Sequence, residues 1–314
     1  MCGEYPAVIG FDWSDTGDDH MTVLRTLAKY AYDRGMVVTI TNHWGNPLTG
    51  SNAWISNSHG DTVHALKRLL PGGDHAAKFQ GMLDKVAEIA KTMKGSDGNL
   101  IPIIYRPFHE NNGGWFWWGQ NNAAKNTADD FKKIWQHTVH YLRDIKGVHN
   151  FLYAYSPNAG YANLNTKGSF VTSYMDTYPG DDYVDVWGVD DYYNIDDPSR
   201  LQNFADRLSE LVLEAEKRGK IPAITEFGLQ HNGLSKHHNY LNDRLLNPIK
   251  GVGVTSRPAS RRLAYMATWS NHCFDNGKCE LFLPYHNHPA ESNFMTFYHD
   301  PVTVFSKTMP NMYT

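Results

Sequence analysis

The sequence predicts an α/β protein folded as a parallel (β/α)8 barrel, and three observations predict it. Short β-branched runs alternate with longer helical stretches along all 314 residues. Polar and aromatic side chains follow several of those runs directly, as in Asp12-Trp13, His43-Trp44, His109-Glu110, Asp191-Tyr192 and at Glu226. In a barrel such strand ends converge on one face, which carries the chemistry. No Gly-rich phosphate-binding turn follows an early strand, which disfavours an open nucleotide-binding sheet.

The elements follow in order. Residues 7–12 form the first apolar run, and residues 22–34 place Val23, Leu24, Leu27, Ala28 and Ala31 at helical spacing. Residues 37–42 are β-branched and run into His43-Trp44. Residues 79–93 set Met82, Leu83, Val86, Ile89, Ala90 and Met93 on one helical stripe. The strand at 101–107 leads to His109-Glu110, the helix at 127–145 returns the chain, and 151–155 and 184–190 supply two more strands. A Leu-, Glu- and Arg-rich helix at 201–218 precedes a strand at 221–226, and the apolar run 281–285 reads as the last strand. Most apolar residues of the helices are core faces. No repeat or linker divides the chain, so residues 1–314 read as a single domain. Seven strands are counted where a closed barrel of this kind has eight.

The composition is 41% hydrophobic and 20% charged, with a formal net charge of −4. No run reaches the roughly 18 apolar residues that span a bilayer. The charge balance offers no field for a polyanion, which argues against nucleic acid as a partner. Aromatic residues are abundant, with 9 Trp, 18 Tyr and 14 Phe. Many sit among Asn, Gly and His in loops, an arrangement suited to sugars with their apolar C–H faces and hydroxyl edges. Cys273 and Cys279 bracket a turn-like segment, residues 274–278, and could close a small disulfide loop or remain free thiols; Cys2 has no evident partner.

Two segments carry the chemistry. In residues 103–119 a β-branched strand runs into Arg106-Pro107, then His109-Glu110, then the loop Gly113-Gly114-Trp115-Phe116-Trp117-Trp118-Gly119. A glutamate beside indole rings loses water, which raises its pKa toward what a general acid needs. Pairing with Arg106 is the bland alternative for Glu110. In residues 221–228 a second apolar strand ends in Glu226-Phe227-Gly228, where Gly228 permits close backbone approach. Two carboxyl groups about 5–5.5 Å apart are what a retaining glycosidase holds. Metal chemistry fares poorly: His109-Glu110 begins like a zinc helix motif, but Gly113 stands where the second histidine belongs. His237-His238 reads as an exposed loop, and no metal site is expected.

At these residues the chain resembles glycoside hydrolase family 26, whose best-known members are endo-β-1,4-mannanases. The likeness runs through residues 5–12, 106–119, 185–192 and 225–228 and extends over essentially the whole chain. It implies a (β/α)8 TIM barrel with the acid/base after strand four and the nucleophile after strand seven, roles that fall on Glu110 and Glu226. It further implies that His109 adjoins the acid/base, that Trp115 lies above it, and that Tyr192 orients the nucleophile, which Arg106 also contacts. His43 and Trp269 match the family's subsites around the cleavage point, Trp269 as the platform under the sugar. Trp44, Trp118 and Asp191 join the substrate-binding set by nearness to these motifs. The implied substrate is β-mannan, cleaved by a secreted, periplasmic or cell-surface monomer that needs no cofactor. The same machinery on mixed-linkage β-glucan or β-xylan, or a non-catalytic glycan-binding barrel, are the alternatives. Two departures stand out. Glu110 ends the third visible strand, which places the family's first strand upstream of Met1, and Ser270 follows Trp269 where many mannanases carry Arg.

Overall fold

The computed structural model describes residues 1–14, 18–160, 170–255, 258–274 and 277–313. Its centre is a sheet of seven parallel strands in sequence order: β1 (Val8–Asp12), β2 (Val37–Thr41), β3 (Ile103–Arg106), β4 (Phe151–Tyr155), β5 (Val186–Asp191), β6 (Ile221–Phe227) and β7 (Tyr265–Thr268). Residues of β1 and β7 come within 8 Å of one another, Cα to Cα. The sheet therefore curls into a nearly closed barrel, although among the described residues no ladder pairs its two ends. No helix among the described residues is long and apolar enough to cross a membrane.

Strand alternation separates two apolar regions. Ile103, Tyr105, Trp187, Val189 and Ile224 belong to the large core shared with the surrounding helices. Ile104, Ala154, Val186 and Ala223 form a separate small cluster inside the barrel, flanked by Val37 and Tyr265. Two residues further along each strand, the same inward face carries Thr39, Arg106, Ser156 and Gly188, and the side chains turn polar. The floor of the site is thus set by a period of two running up from an apolar plug.

The helices match their periodicity. Ala128–His140 starts at a capping box in which Thr127 Oγ1 accepts from Asp130 N at 3.1 Å and Asp130 Oδ2 accepts from Thr127 N at 3.0 Å. It buries Phe131, Ile134, Trp135 and Val139 and runs into a π-helical turn at Tyr141–Ile145, so the expected stretch 127–145 is one rod. Leu201–Lys217 buries Phe204, Leu208, Leu211 and Ala215 in the same manner.

One strand lies elsewhere than expected. The apolar run at 281–285 is irregular, and the seventh barrel strand is Tyr265–Thr268. The run is apolar because it packs as a loop: Phe282 is buried, its carbonyl accepts from Tyr240 OH, and Asn271 Oδ1 accepts from Phe282 N at 2.7 Å. Just before it, β8 (His272–Cys273) and β9 (Cys279–Glu280) make a small hairpin closed by a Cys273–Cys279 disulfide. Asp275 and Asn276 of the expected turn lie outside the described residues.

Candidate active site

Glu226 reaches the barrel mouth through a bulge. Val189 pairs with Ile224 but Asp190 pairs with Glu226, so β6 carries one extra residue at Thr225. Without it, Glu226 would face outward, since Ala223 already faces inward. Thr225 Oγ1 donates to Asp190 Oδ1 at 2.6 Å. Arg106, from β3, donates through Nη1 to Asp190 Oδ2 at 2.8 Å and through Nη2 to Glu226 Oε1. Burial works against the guanidinium's charge, and the two carboxylates outweigh it. Tyr192 OH donates to Glu226 Oε2 at 2.8 Å, as expected of the residue that orients this carboxylate.

Glu110 is held differently. The chain leaves β3 through left-handed backbone at Phe108 and Glu110, each with φ of 51°, a conformation that costs a non-glycine residue on the order of 1 kcal/mol. Glu110 N donates to Ser156 O at 2.8 Å, fixing the turn against the end of β4. Its carboxylate accepts from Asn158 Nδ2 at 2.6 Å and from Trp115 Nε1 at 2.8 Å, and Arg106 is not its partner. Backbone approach in this loop is close at Gly113: a Cβ there would lie 2.4 Å from the Trp115 ring. Only a bare backbone lets the indole fold back over the acid. Gly228 serves β6 likewise, since a Cβ there would meet Phe282 at 2.1 Å.

One cation therefore faces three buried acids. Single oxygens of Glu110, Asp190 and Glu226 lie within 4.8 Å of one another. Burial raises the Glu110 pKa to about 7, helped by the charge of Glu226 and opposed by Asn158, Arg106 and Trp115. Burial pushes Asp190 upward as well, against the pull of Arg106. A raised carboxylic acid beside an arginine-bound carboxylate is the division of labour that acid-and-nucleophile chemistry needs.

The expected substrate-binding residues fall into two groups. Trp115, Trp269 and His43 are half-buried at the cleft, with the His43 and Trp269 rings 5.6 Å apart. Arg106 and His109 are buried beneath the cleft and touch other side chains. Three expectations are corrected. Trp44 is 3% exposed and packs between Phe79 and Phe108, so it belongs to the core. Trp118 is fully buried, stacked on Phe116, with Nε1 donating to His109 O at 2.8 Å. Asp191 is 2% exposed and holds Asn194 through Oδ1 and Oδ2, which secures the loop after β5 instead of a sugar. The sequence reading missed Asn158, Asp190 and Asp12 as site residues. All three stand at or just past a strand end, the same signal that marked the others.

The sequence profile of glycosyl hydrolase family 26 matches residues 1–256. A mannan endo-1,4-β-mannosidase of Bifidobacterium adolescentis is 36% identical over 94% of this chain, which spans 29% of that protein. A mannan endo-1,4-β-mannosidase of Bacillus subtilis is 29% identical over 76% of this chain and 62% of its own length. This chain thus spans less than two thirds of the curated relatives it matches. Among solved structures, GH26C from Muricauda sp. MAR_2010_75 superposes with a TM-score of 0.87 at 29% identity, over 100% of this chain and 83% of that one. A modular endo-β-1,4-mannanase of Cellulomonas fimi gives 0.83 at 33% identity, over 99% of this chain and 67% of that one. The barrel is therefore of the (β/α)8 TIM type, and the chain belongs to glycosyl hydrolase family 26.

Proposed function

We propose that the chain is a retaining hydrolase of β-1,4-mannosidic linkages in mannan, galactomannan or glucomannan. The observation that carries this reading is the pair Glu110 and Glu226, with carboxylate oxygens within 4.8 Å and only Glu226 bound by arginine. That spacing is close to the roughly 5–5.5 Å of retaining enzymes and short of the roughly 6.5–9.5 Å of inverting ones, which favours attack by the carboxylate itself. Glu110 protonates the departing glycosidic oxygen while Glu226 attacks the anomeric carbon and forms a glycosyl-enzyme. Glu110 then takes a proton from water, which displaces Glu226 with net retention. Trp115, bound to Glu110, and Trp269, paired with His43, supply apolar ring surface at the cleft. The mannan-degrading relatives support the choice of glycan, and Ser270, where an Arg is common in mannanases, bears on the distal glycone subsite. The Cys273–Cys279 bridge supports a location outside the cytoplasm, since disulfides persist in oxidising compartments.

Reducing-sugar release from mannan, with mixed-linkage glucan and xylan as parallel substrates, tests the glycan. Mannan is expected to be the preferred substrate, and a stronger response to glucan or xylan overturns that choice. Proton NMR of the first-formed anomer tests retention.

A further inference from the structure

A line of polar groups crosses the ends of β1, β2 and β3 beside the two glutamates. Asp12 Oδ2, at the end of β1, meets His43 Nδ1, while Asp12 Oδ1 accepts from His43 N at 3.2 Å and from Ser14 Oγ. His43 Nε2 lies 3.1 Å from His109 Nε2, and His109 Nδ1 lies 3.1 Å from Thr41 Oγ1. Thr41 Oγ1 also sits 3.0 Å from the Arg106 carbonyl, which can only accept.

Proton bookkeeping along this line has a definite outcome. The single Thr41 hydroxyl proton goes to the Arg106 carbonyl, so Thr41 accepts from His109 Nδ1–H. Burial, and next the charge of Arg106, hold His109 well below the usual histidine range. It is therefore neutral, its one proton is on Nδ1, and its Nε2 accepts from His43 Nε2–H. On the other side Asp12 is a carboxylate: burial opposes its charge, but contacts with His43 and Ser14 outweigh that and lower its pKa. A carboxylate only accepts, so His43 Nδ1 also carries a proton.

We propose that Asp12 is a positioning residue that keeps His43 as a doubly protonated imidazolium, whose edge braces the Trp269 platform across the seam between β1 and β7. The His43 ring stands 66° to the Trp269 indole with centroids 5.6 Å apart, a T-shaped pair within the range over which an indole attracts a cation. Asp12 ends β1 and Trp269 follows β7, the two strands that no ladder joins. With both its nitrogens bound to protein, His43 has none left for a sugar hydroxyl. The groups facing it are Asp12 and Ser14 from β1 and the turn after it, His109 and Phe116 from the loop after β3, and Trp269. Asp12 is the one charged partner among them, and Arg106 acts on the line through His109. Among the described residues, His20 Nε2 meets the Asp12 carbonyl at 3.3 Å.

The role of the brace rests on the proposed glycosidase reading; the protonation of His43 does not. Nitrogen-15 NMR of the histidine rings in the purified wild-type protein at about pH 7 tests it first. Both His43 nitrogens are expected in the protonated range and His109 Nε2 in the unprotonated range; an unprotonated nitrogen on His43 overturns the proposal. Asp12→Asn keeps an acceptor oxygen without the charge. It is expected to strip one proton from His43 at the same pH and to raise the KM for mannan roughly fivefold, with kcat within about twofold. Asp12→Glu is expected to restore the second proton and most of the lost affinity. A neutral His43 in Asp12→Asn with an unchanged KM overturns the brace. If Asp12→Asn does not fold, the wild-type spectrum decides alone. If the wild type cleaves no glycan, the enzymatic reading fails while the spectrum still decides the state of His43.

Discussion

Glu110 and Glu226 differ less in position than in company. Glu226 is held by a guanidinium and a phenol, Glu110 by an amide and an indole. Replacing Glu110 with Gln should lower kcat/KM on mannan roughly 100- to 10,000-fold, the usual worth of a general acid, and Glu226→Gln should stop turnover at the first step. Near-wild-type rates from either would end the proposed mechanism. On the proposed mechanism the acid must hold its proton in the free enzyme, so the alkaline limb of kcat/KM should fall as pH rises through about 7, the raised value of Glu110. Asn158 donates to the charged form of Glu110 and so lowers its pKa. Asn158→Ala should therefore move that alkaline limb upward, and a downward shift in the pH–rate profile would contradict the assignment. Glu110 stood out in the sequence through its strand-then-aromatic-loop pattern, whereas Glu226 only ended a second apolar strand and drew its weight from being the other half of a pair. Asn158 and Asp190 stand at strand ends like the glutamates, but which strand-end side chains meet depends on strands side by side in the barrel and far apart in the chain.

At the level of the element, loops and bulges do the aiming. The loop after β3 folds back because Gly113 leaves room for Trp115. Gly113→Ala should displace the indole, cost about tenfold in kcat, and change the Trp fluorescence; full activity would show that Trp115 does not act on Glu110. The β8–β9 hairpin is tied by its disulfide, whose seven-residue loop should contribute roughly 2 kcal/mol. The double variant Cys273→Ser/Cys279→Ser should accordingly lower Tm by a few degrees in calorimetry while leaving kcat unchanged. Six of the seven strands were readable as short apolar runs, most of them β-branched. The seventh was not, because Tyr265–Thr268 is short and half-exposed at the sheet end, whereas the more apolar run at 281–285 is a loop anchored by buried Phe282 and Pro284. Apolarity reports burial before it reports a strand. The β6 bulge was equally invisible, since nothing in Ile224-Thr225-Glu226 announces that two consecutive residues share a face.

Across the whole molecule, one arginine joins three strands. Arg106 on β3 binds Asp190 on β5 and Glu226 on β6, with Ser156, just past β4, accepting from Nη1 at 3.0 Å. Arg106→Leu would strand two buried carboxylates and should destabilise the fold by about 3–5 kcal/mol. Denaturant unfolding at neutral pH measures this, and a loss below about 1 kcal/mol would mean the carboxylates are solvated by other means. The overall architecture was recoverable because alternating β and α segments allow few arrangements, and the polar strand ends named the working face. The left-handed backbone at Phe108 and Glu110 has a consequence for anyone who evolves this protein. Selection for heat resistance alone would relax that turn and discard the buried acid within it. Such a screen would drift toward tougher barrels without the proposed activity, so durability and turnover must be selected together.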